Sequence, residues 1–406
     1  MPTSFVSRAD KHLAVVSAVG VLSLLAVAAC TGKGQGAAQG TDAGADQASQ
    51  DDLGAPDQPP EANADAGQPD TAPAPLCAKW KSEVIAPAGS YRDYRLALAI
   101  HDDVPHVAFM RSDQSLVYGV RGTGGWQLTE VANEASVGLG LDLAVDSDGH
   151  PHLAYLGVDG TDYSLRHSWL DGGGSWQTEV VEMPATGLPA ALVFDATGTL
   201  HVAYSAAKRG RHAWKAVAAT SWTFEDLSAG TPTDMVFANN LLHVLISNQM
   251  GLAYAVQNQN GWETDNVMST PATNARQAVS DSAVYVAANS DTWATWWSAG
   301  LPAAGQTWSQ TTLQSVTGLD VVYGMDVALD GRGVPHAVYS YETGSPAIYS
   351  PVVLARFIHG QWTRETAWSP SYAEHPRFQL DSQGRPHIVF IFFSVSRSLY
   401  YLSCAS

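Results

Sequence analysis

The chain has 406 residues, with 39 acidic against 21 basic side chains and a formal charge of −18. An isoelectric point near 4.9 means that it would repel phosphate backbones, which argues against any nucleic-acid partner. After the first thirty residues no long 3.6-residue apolar period occurs, and Gly, Pro, Trp and Tyr punctuate short apolar runs, as in all-β proteins.

Residues 1–29 carry Arg8 and Lys11 and then an apolar run, the pattern of a secretory signal rather than of a structural helix. The run ends Leu25-Ala-Val-Ala-Ala-Cys30, which resembles the lipobox of bacterial lipoproteins. That resemblance implies cleavage before Cys30 and acylation of its thiol, and Thr31 in place of Asp implies the outer membrane or cell surface. The alternative is an ordinary signal peptide with an incidental cysteine. Residues 30–76 are then the lipidated Cys and an acidic tether of Gly, Ala, Gln, Asp and Pro. Their few large apolar side chains cannot offset ordering entropy, so a disordered coil is expected, its ends on the order of 35 to 40 Å apart.

Residues 77–406 are a repeat. In the stretch Asp146-Ser-Asp-Gly-His-Pro-His-Leu-Ala-Tyr155 a strand, a tight turn and a second strand follow one another. Its histidine returns as His106, His152, His201, His243, His336 and His387, with Tyr285 in the remaining place. A tryptophan in or near the pattern Gly-Trp-x-x-Glu recurs as Trp80, Trp126, Trp176, Trp222, Trp262, Trp308 and Trp362. Both series count to seven at a spacing of roughly 40 to 54 residues, the range of propeller blades. A third apolar run lies between each His and the next Trp, so the expected fold is an all-β, seven-bladed β-propeller with four antiparallel strands per blade.

The first blade is predicted over 96–100, 105–109, 116–120 and 126–131, and the next three follow the same plan. Blade five is irregular, with strands at 277–280, 284–287, 294–298 and 308–313, and blade six resumes the pattern. The seventh offers only 378–380, 387–390 and 399–402, one strand short. The surplus strand stands at the other end, where Trp80-Lys-Ser-Glu-Val84 matches an outermost strand with none before it. It is therefore expected to complete the last blade and close the ring. Where blade one has a glycine hairpin, blade seven has Cys404 on one side and Cys77 on the other. A disulfide would replace the turn and stabilise by about 5 kcal/mol in the chain-entropy model; two free thiols are the alternative. An exported, oxidising compartment permits the bond.

Equivalent positions on different blades are too far apart to share one ion, so the repeated histidines are expected to be scaffold, bonding backbone. The tryptophans are expected to pack between blades, and neither a metal nor a cofactor is expected. In these repeats 77–406 resembles the sialidase-like, or BNR-like, seven-bladed propellers of bacterial surfaces. A sialidase Asp-box reads Ser-x-Asp-x-Gly-x-Thr-Trp, whereas the order here is Asp-x-x-Gly-x-Pro-His in a different hairpin. No arginine triad and no Tyr/Glu pair can be assigned from the sequence, so the resemblance implies the fold and not the activity.

Recognition on repeat scaffolds lies where copies differ. Blade-to-blade connections and the loops between second and third strands emerge on one face. There the candidates for ligand binding are Tyr91, Arg92, Tyr94, Arg111, Asp162, Tyr163, Arg209, Arg211, Trp293, Tyr341, Glu342, Tyr372, Glu374, His375 and Arg397. Aromatic rings beside charged groups suit sugars, and the basic cluster Lys208-Arg-Gly-Arg-His212 points to an anionic glycan. The leading expectation is a monomeric, lipid-anchored module for a glycan or protein ligand. A carbohydrate-active enzyme is the alternative and needs two carboxylates about 5 to 9 Å apart, with Asp93, Asp162, Glu342 and Glu374 as candidates. A third possibility is an assembly scaffold, marked by a contiguous apolar patch.

Overall fold

Short apolar runs bounded by turn signals fold here into seven separate four-stranded antiparallel sheets. The structure is a computed structural model that describes residues 76–87, 91–133, 140–159, 162–185, 191–207, 209–272, 274–290, 293–301, 305, 307–315, 322–342, 350–369, 373–393 and 397–405. The signal segment, Cys30 and the tether as far as residue 75 lie outside the described residues. Within those residues no helix is long and apolar enough to cross a membrane.

After β1 (Trp80–Ala86), blade 1 comprises β2 (Tyr91–His101), β3 (Val104–Arg111), β4 (Ser115–Gly122) and β5 (Gly125–Asn133). Blade 2 is β6 (Leu141–Val145), β7 (Pro151–Asp159), β8 (Asp162–Leu170) and β9 (Trp176–Glu182). Blade 3 is β10 (Ala191–Phe194), β11 (Leu200–Ala206), β12 (Arg209–Lys215) and β13 (Thr223–Ala229). Blade 4 is β14 (Thr231–Ala238), β15 (Leu241–Asn248), β16 (Gly251–Asn258) and β17 (Gly261–Met268). Blade 5 is β18 (Asn274–Val279), β19 (Ala283–Ser290), β20 (Trp293–Gly300) and β21 (Ser309–Ser315). Blade 6 is β22 (Val322–Leu329), β23 (Pro335–Tyr341), β24 (Val352–Ile358) and β25 (Gln361–Trp368). Blade 7 is β26 (Ala373–Leu380), β27 (Pro386–Phe393) and β28 (Arg397–Cys404), completed by β1.

The ring thus closes as the strand deficit requires. Trp80 pairs with Cys404 and Val84 with Tyr400 along the β1–β28 ladder. Cys77 and Cys404 form the disulfide, their Cα atoms 5.2 Å apart across a sequence separation of 327.

The core is divided among the blade interfaces. On β27, Ile388 and Phe390 face blade 6 with Phe378 and Leu354, while Val389 and Ile391 face blade 1 with Leu96 and Phe109. A sheet covered on both sides has no solvated face, so its strands read as continuous apolar runs rather than alternating ones. Full burial of each such side chain contributes about 1.5 to 3 kcal/mol.

The Asp-x-x-Gly turns hold the first hairpin of several blades. Asp146 Oδ1 accepts the amides of Asp148 (3.0 Å) and His150 (2.7 Å), and Gly149 supplies the positive φ of 86°. Asp195, Asp330 and Asp381 repeat the arrangement.

The repeated histidines depart from expectation, because most of them bond side chains rather than backbone. Each sits opposite a ring on the third strand: His106 Nδ1 lies 2.5 Å from the Tyr118 hydroxyl and His387 Nδ1 2.6 Å from that of Tyr401. In blades 2 and 3 the ring is a second imidazole, with His152–His167 and His201–His212 nitrogens each 2.9 Å apart. Register puts Leu354 at this place in blade 6. With no polar ring there, His336 Nδ1 turns back to Val334 O at 2.9 Å, the backbone bond expected of all.

The same third-strand ring receives the tryptophan of the next blade edge-on. Trp126 meets Tyr401, Trp176 meets Tyr118, Trp222 meets His167, Trp262 meets His212, Trp308 meets Tyr254 and Trp362 meets Trp296. Three of these indoles also donate to an acid on the preceding blade: Trp222 to Glu179, Trp262 to Glu225 and Trp308 to Asp265, at 2.9 to 3.1 Å. Inter-blade packing is therefore both apolar and hydrogen-bonded.

Candidate functional site

The innermost strands β2, β6, β10, β14, β18, β22 and β26 surround an axial cavity of about 1260 Å³. Gly140, Gly230, Met250 and Pro271 also line it. All four belong to blade connections or to a turn between second and third strands, so the mouth opens on the face where recognition was expected.

Inside lies a girdle of charge that the sequence reading missed. Asp142, Asp234 and Asp326 stand at equivalent places on the first strands of alternate blades, and each Oδ2 accepts a backbone amide of the next blade. The donors are Leu192 at 2.8 Å, Gln277 at 2.7 Å and Phe378 at 2.9 Å. Arg377 Nε donates to Leu96 O at 2.9 Å across the ring closure, and Arg276 lies 3.9 Å from Asp234 and 4.0 Å from Asp326. Burial raises the Asp142 carboxyl and pushes that of Asp234 up to about 6 against the pull of Arg276. Burial likewise lowers Arg377 to about 10, helped by Arg276. The signal was present in Leu141-Asp142-Leu143, Thr233-Asp234-Met235 and Met325-Asp326-Val327, a lone acid inside an apolar first strand.

At the mouth, between blades 6 and 7, several expected residues meet. The Tyr323 hydroxyl donates to Glu342 Oε2, and the Tyr323 and His375 rings lie 6.5 Å apart. Burial raises the Glu374 carboxyl, Arg397 opposes the shift and Glu342 adds to it, so the three charges share one locality. Glu374 Oε2 is buried and accepts no hydrogen bond among the described residues. A register shift between Glu374 and Arg377 bulges β26, and His375 sits there at φ 50°. Such a bulge re-aims a side chain, and His375 lines the cavity as a result. Gly324 makes the approach possible, because a Cβ there would stand 3.0 Å from the His375 Cα.

The remaining candidates, where they are described, lie on strands. Tyr91, Arg92, Asp93 and Tyr94, expected in a loop, lie on β2 by their backbone, and their side chains fall outside the described residues, as does that of Trp293 at the start of β20. Tyr372 and Lys208 lie outside them altogether. Asp162 and Tyr163 are exposed at the start of β8 on blade 2, and Arg111 ends β3 with a guanidinium 3.9 Å from Glu130. Tyr341 ends β23 with its ring 6.1 Å from that of Tyr339.

The basic cluster needs correction, because Arg209 and Arg211 stand on a strand and are neutralised. Arg209 lies 3.3 Å from Asp226, and Arg211 pairs with Glu182 and Asp226 while covering the Phe224 ring. His212 is buried in the inter-blade contact. An anionic glycan therefore loses its main support.

Asp146, Asp148 and His150 offer ligand atoms within 4.8 Å of one another on the opposite face. There Asp146 Oδ1 already accepts two turn amides, and its Oδ2 lies 3.2 Å from His150 and 3.5 Å from His152. Among the described residues the large exposed aliphatic and phenyl side chains are Val84 on blade 7, Val180 and Met183 on blade 2, Val217 and Phe224 on blade 3, and Met250 at the cavity mouth on blade 4.

No protein-family model matches the chain, and no curated protein matches it. Among solved structures, a fungal alcohol oxidase of the AA5 family, in complex with copper, is similar with a TM-score of 0.54 at 11% identity, covering 81% of this chain and 76% of that one. AofleA from Arthrobotrys oligospora matches with a TM-score of 0.48 at 13% identity over 72% of this chain and 90% of that one. The NanB sialidase from Streptococcus pneumoniae matches at 0.46 and 11%, over 79% and 69%. At such identities the likeness to the oxidase is one of fold, and the chain is a seven-bladed β-propeller.

Proposed function

We propose that the chain is an exported, lipid-anchored propeller that binds a saccharide at the cavity mouth between blades 6 and 7. The observation that carries this reading is Glu374. Its buried Oε2 accepts no hydrogen bond among the described residues, at the edge of a concave cavity and beside Tyr323, Glu342, His375 and Arg397. A buried acceptor without a donor is costly, by about 1 to 3 kcal/mol, and a hydroxyl-rich ligand removes that cost. Rings, acids and a guanidinium around one opening match a sugar's alternation of C–H faces and hydroxyls. A flat protein partner would favour one broad apolar patch, whereas the exposed apolar side chains occur in ones and twos over blades 2, 3, 4 and 7.

The test is a glycan array with the full-length chain, followed by titration of the saccharides it retains. Binding that Glu374→Ala and Tyr323→Phe both weaken supports the reading. An array without a retained saccharide, combined with an unchanged profile for both variants, overturns it.

A second reading rests on one observation, that Glu374, whose carboxyl burial raises, has a second carboxylate, Glu342, within electrostatic reach. Such a pair suits glycoside hydrolysis, with Glu374 as the candidate acid. Release of reducing sugar from a retained oligosaccharide, abolished by Glu374→Gln, would favour it; a saccharide recovered intact favours plain binding.

Anchoring rests on Cys30 and the polar segment behind it, and the disulfide is in keeping with an oxidising compartment. Incorporation of labelled fatty acid, lost in Cys30→Ser, is the expected result, and label retained by that variant would refute it.

A further inference from the structure

A saccharide site still has a sign of charge to choose. Building on the proposed function, we infer that the mouth prefers a saccharide bearing a primary amine, an amino sugar, over neutral or acidic sugars. Around the cavity and its mouth Asp142, Asp234, Asp326, Glu342 and Glu374 outnumber the guanidiniums of Arg276, Arg377 and Arg397.

Those cations are already engaged. Arg276 donates to Thr233 O and lies beside Asp234 and Asp326, and Arg377 donates to Leu96 O. Arg397 covers the Phe393 ring at 5.3 Å and faces Glu374. A sugar carboxylate at Arg276 or Arg377 would have to displace such a contact, and at Arg397 it would meet Glu374 and Glu342.

The oxygens are differently placed. Gln277 is only 3% exposed and lines the cavity, and its Oε1 accepts no hydrogen bond among the described residues. Glu374 Oε2 repeats that condition at the rim. An ammonium group carries three donors and a positive charge, so it answers both the unmet acceptors and the surplus of acids. A neutral hydroxyl answers only the first. The charge of the whole chain, −18, adds attraction at long range.

The experiment compares three pentasaccharides at about pH 6 and low salt, using the full-length chain. They are the glucosamine pentamer, its fully N-acetylated form and pentagalacturonate, so that the first two share a backbone and differ in charge. The glucosamine pentamer should bind at least about tenfold tighter than the acetylated one, and the gap should shrink as salt is added. Glu374→Gln should close most of the gap, and Glu342→Gln, read by tryptophan fluorescence for folding, provides an independent second variant. Asp148→Asn removes a charge on the opposite face and should leave the preference intact.

Equal or tighter binding of the acetylated or acidic pentamer overturns the inference, and so does loss of the preference in Asp148→Asn. In those outcomes a saccharide is still bound, and the proposed function stands. If none of the pentamers binds and the array retains no sugar, the proposed function falls with the inference.

Discussion

Blades 2 and 3 differ from blades 6 and 7 in where their polar groups point. In blade 3 a continuous line runs from Asp195 through His201 and His212 to Glu225, which then accepts the Trp262 indole of blade 4. Blade 2 copies it through Asp146, His152, His167 and Glu179, joined by Lys215 and Trp222 of blade 3. In each blade the two imidazoles share three contacts. The longest contacts, 3.4 and 3.5 Å to the turn aspartates, are the ones left weak. In blade 6 Leu354 interrupts the line, in blade 7 it runs from Asp381 through His387 and stops at Tyr401, and both blades set further polar groups at the mouth. Agreement between copies marks groups that hold the ring, and disagreement marks groups left for a ligand.

The largest effect should come from the clasp beside the mouth half. Cys404→Ser or reduction should lower unfolding free energy by about 3 to 5 kcal/mol, given the 327-residue separation that the bond closes. Denaturant titration with and without reductant checks it.

Acid should next load the paired imidazoles of blades 2 and 3. Burial lowers His201 and His152 to about 4, each with a further push from its partner imidazole, so native chains stay deprotonated where unfolded ones take up protons. That stability is complete above about pH 6.5 and is lost as pH falls from 6.5 towards 4. Glu179 adds a later loss: burial works to raise it, but His167 and Lys215 outweigh burial and hold it at about 2. Asp234 has the opposite sign, its raised carboxyl favouring the folded state as pH falls from about 6 towards 4. Unfolding free energy measured from pH 7 to 4 should therefore fall on balance in the parent, and the fall should shrink in His201→Gln. An unchanged slope would break the comparison.

Glu225→Ala strands the His212, Gln257 and Trp262 donors and should cost about 2 kcal/mol in stability without changing saccharide affinity. Smallest in stability should be Tyr323→Phe, within about 0.5 kcal/mol of the parent, because its hydroxyl serves Glu342 at the mouth rather than the core. Its affinity for a retained saccharide should nevertheless fall about fivefold, roughly 1 kcal/mol.

Blade number, ring closure and the disulfide were legible because a repeat shows its rule several times over, so that Trp80 and the missing last strand could be matched. The partners of the histidines were less so. Tyr118, His167, His212, Tyr254 and Tyr401 follow their histidines at uneven distances, set by loops of different length. Residues at the mouth were named by type but placed on loops, whereas Glu374, His375 and Arg397 lie on strands. Bulges at Tyr91/Leu96, Val322/Gly324 and Glu374/Arg377 prolong the inner strands past their apolar runs, and no hydrophobic period announces such a bulge. The neutralisation of Arg211 was hidden because Glu182 belongs to the neighbouring blade.

Since β1 is the outermost strand of blade 7, tension on the chain ahead of Leu76 would tend to peel it from β28 one rung at a time. Cys77 precedes the first rung, Trp80 with Cys404, so the load enters a covalent bond before it reaches the ladder. That grip sits on the side of the ring away from the cavity opening. Force applied at that end is therefore borne by the disulfide before any hydrogen bond of the blade opens.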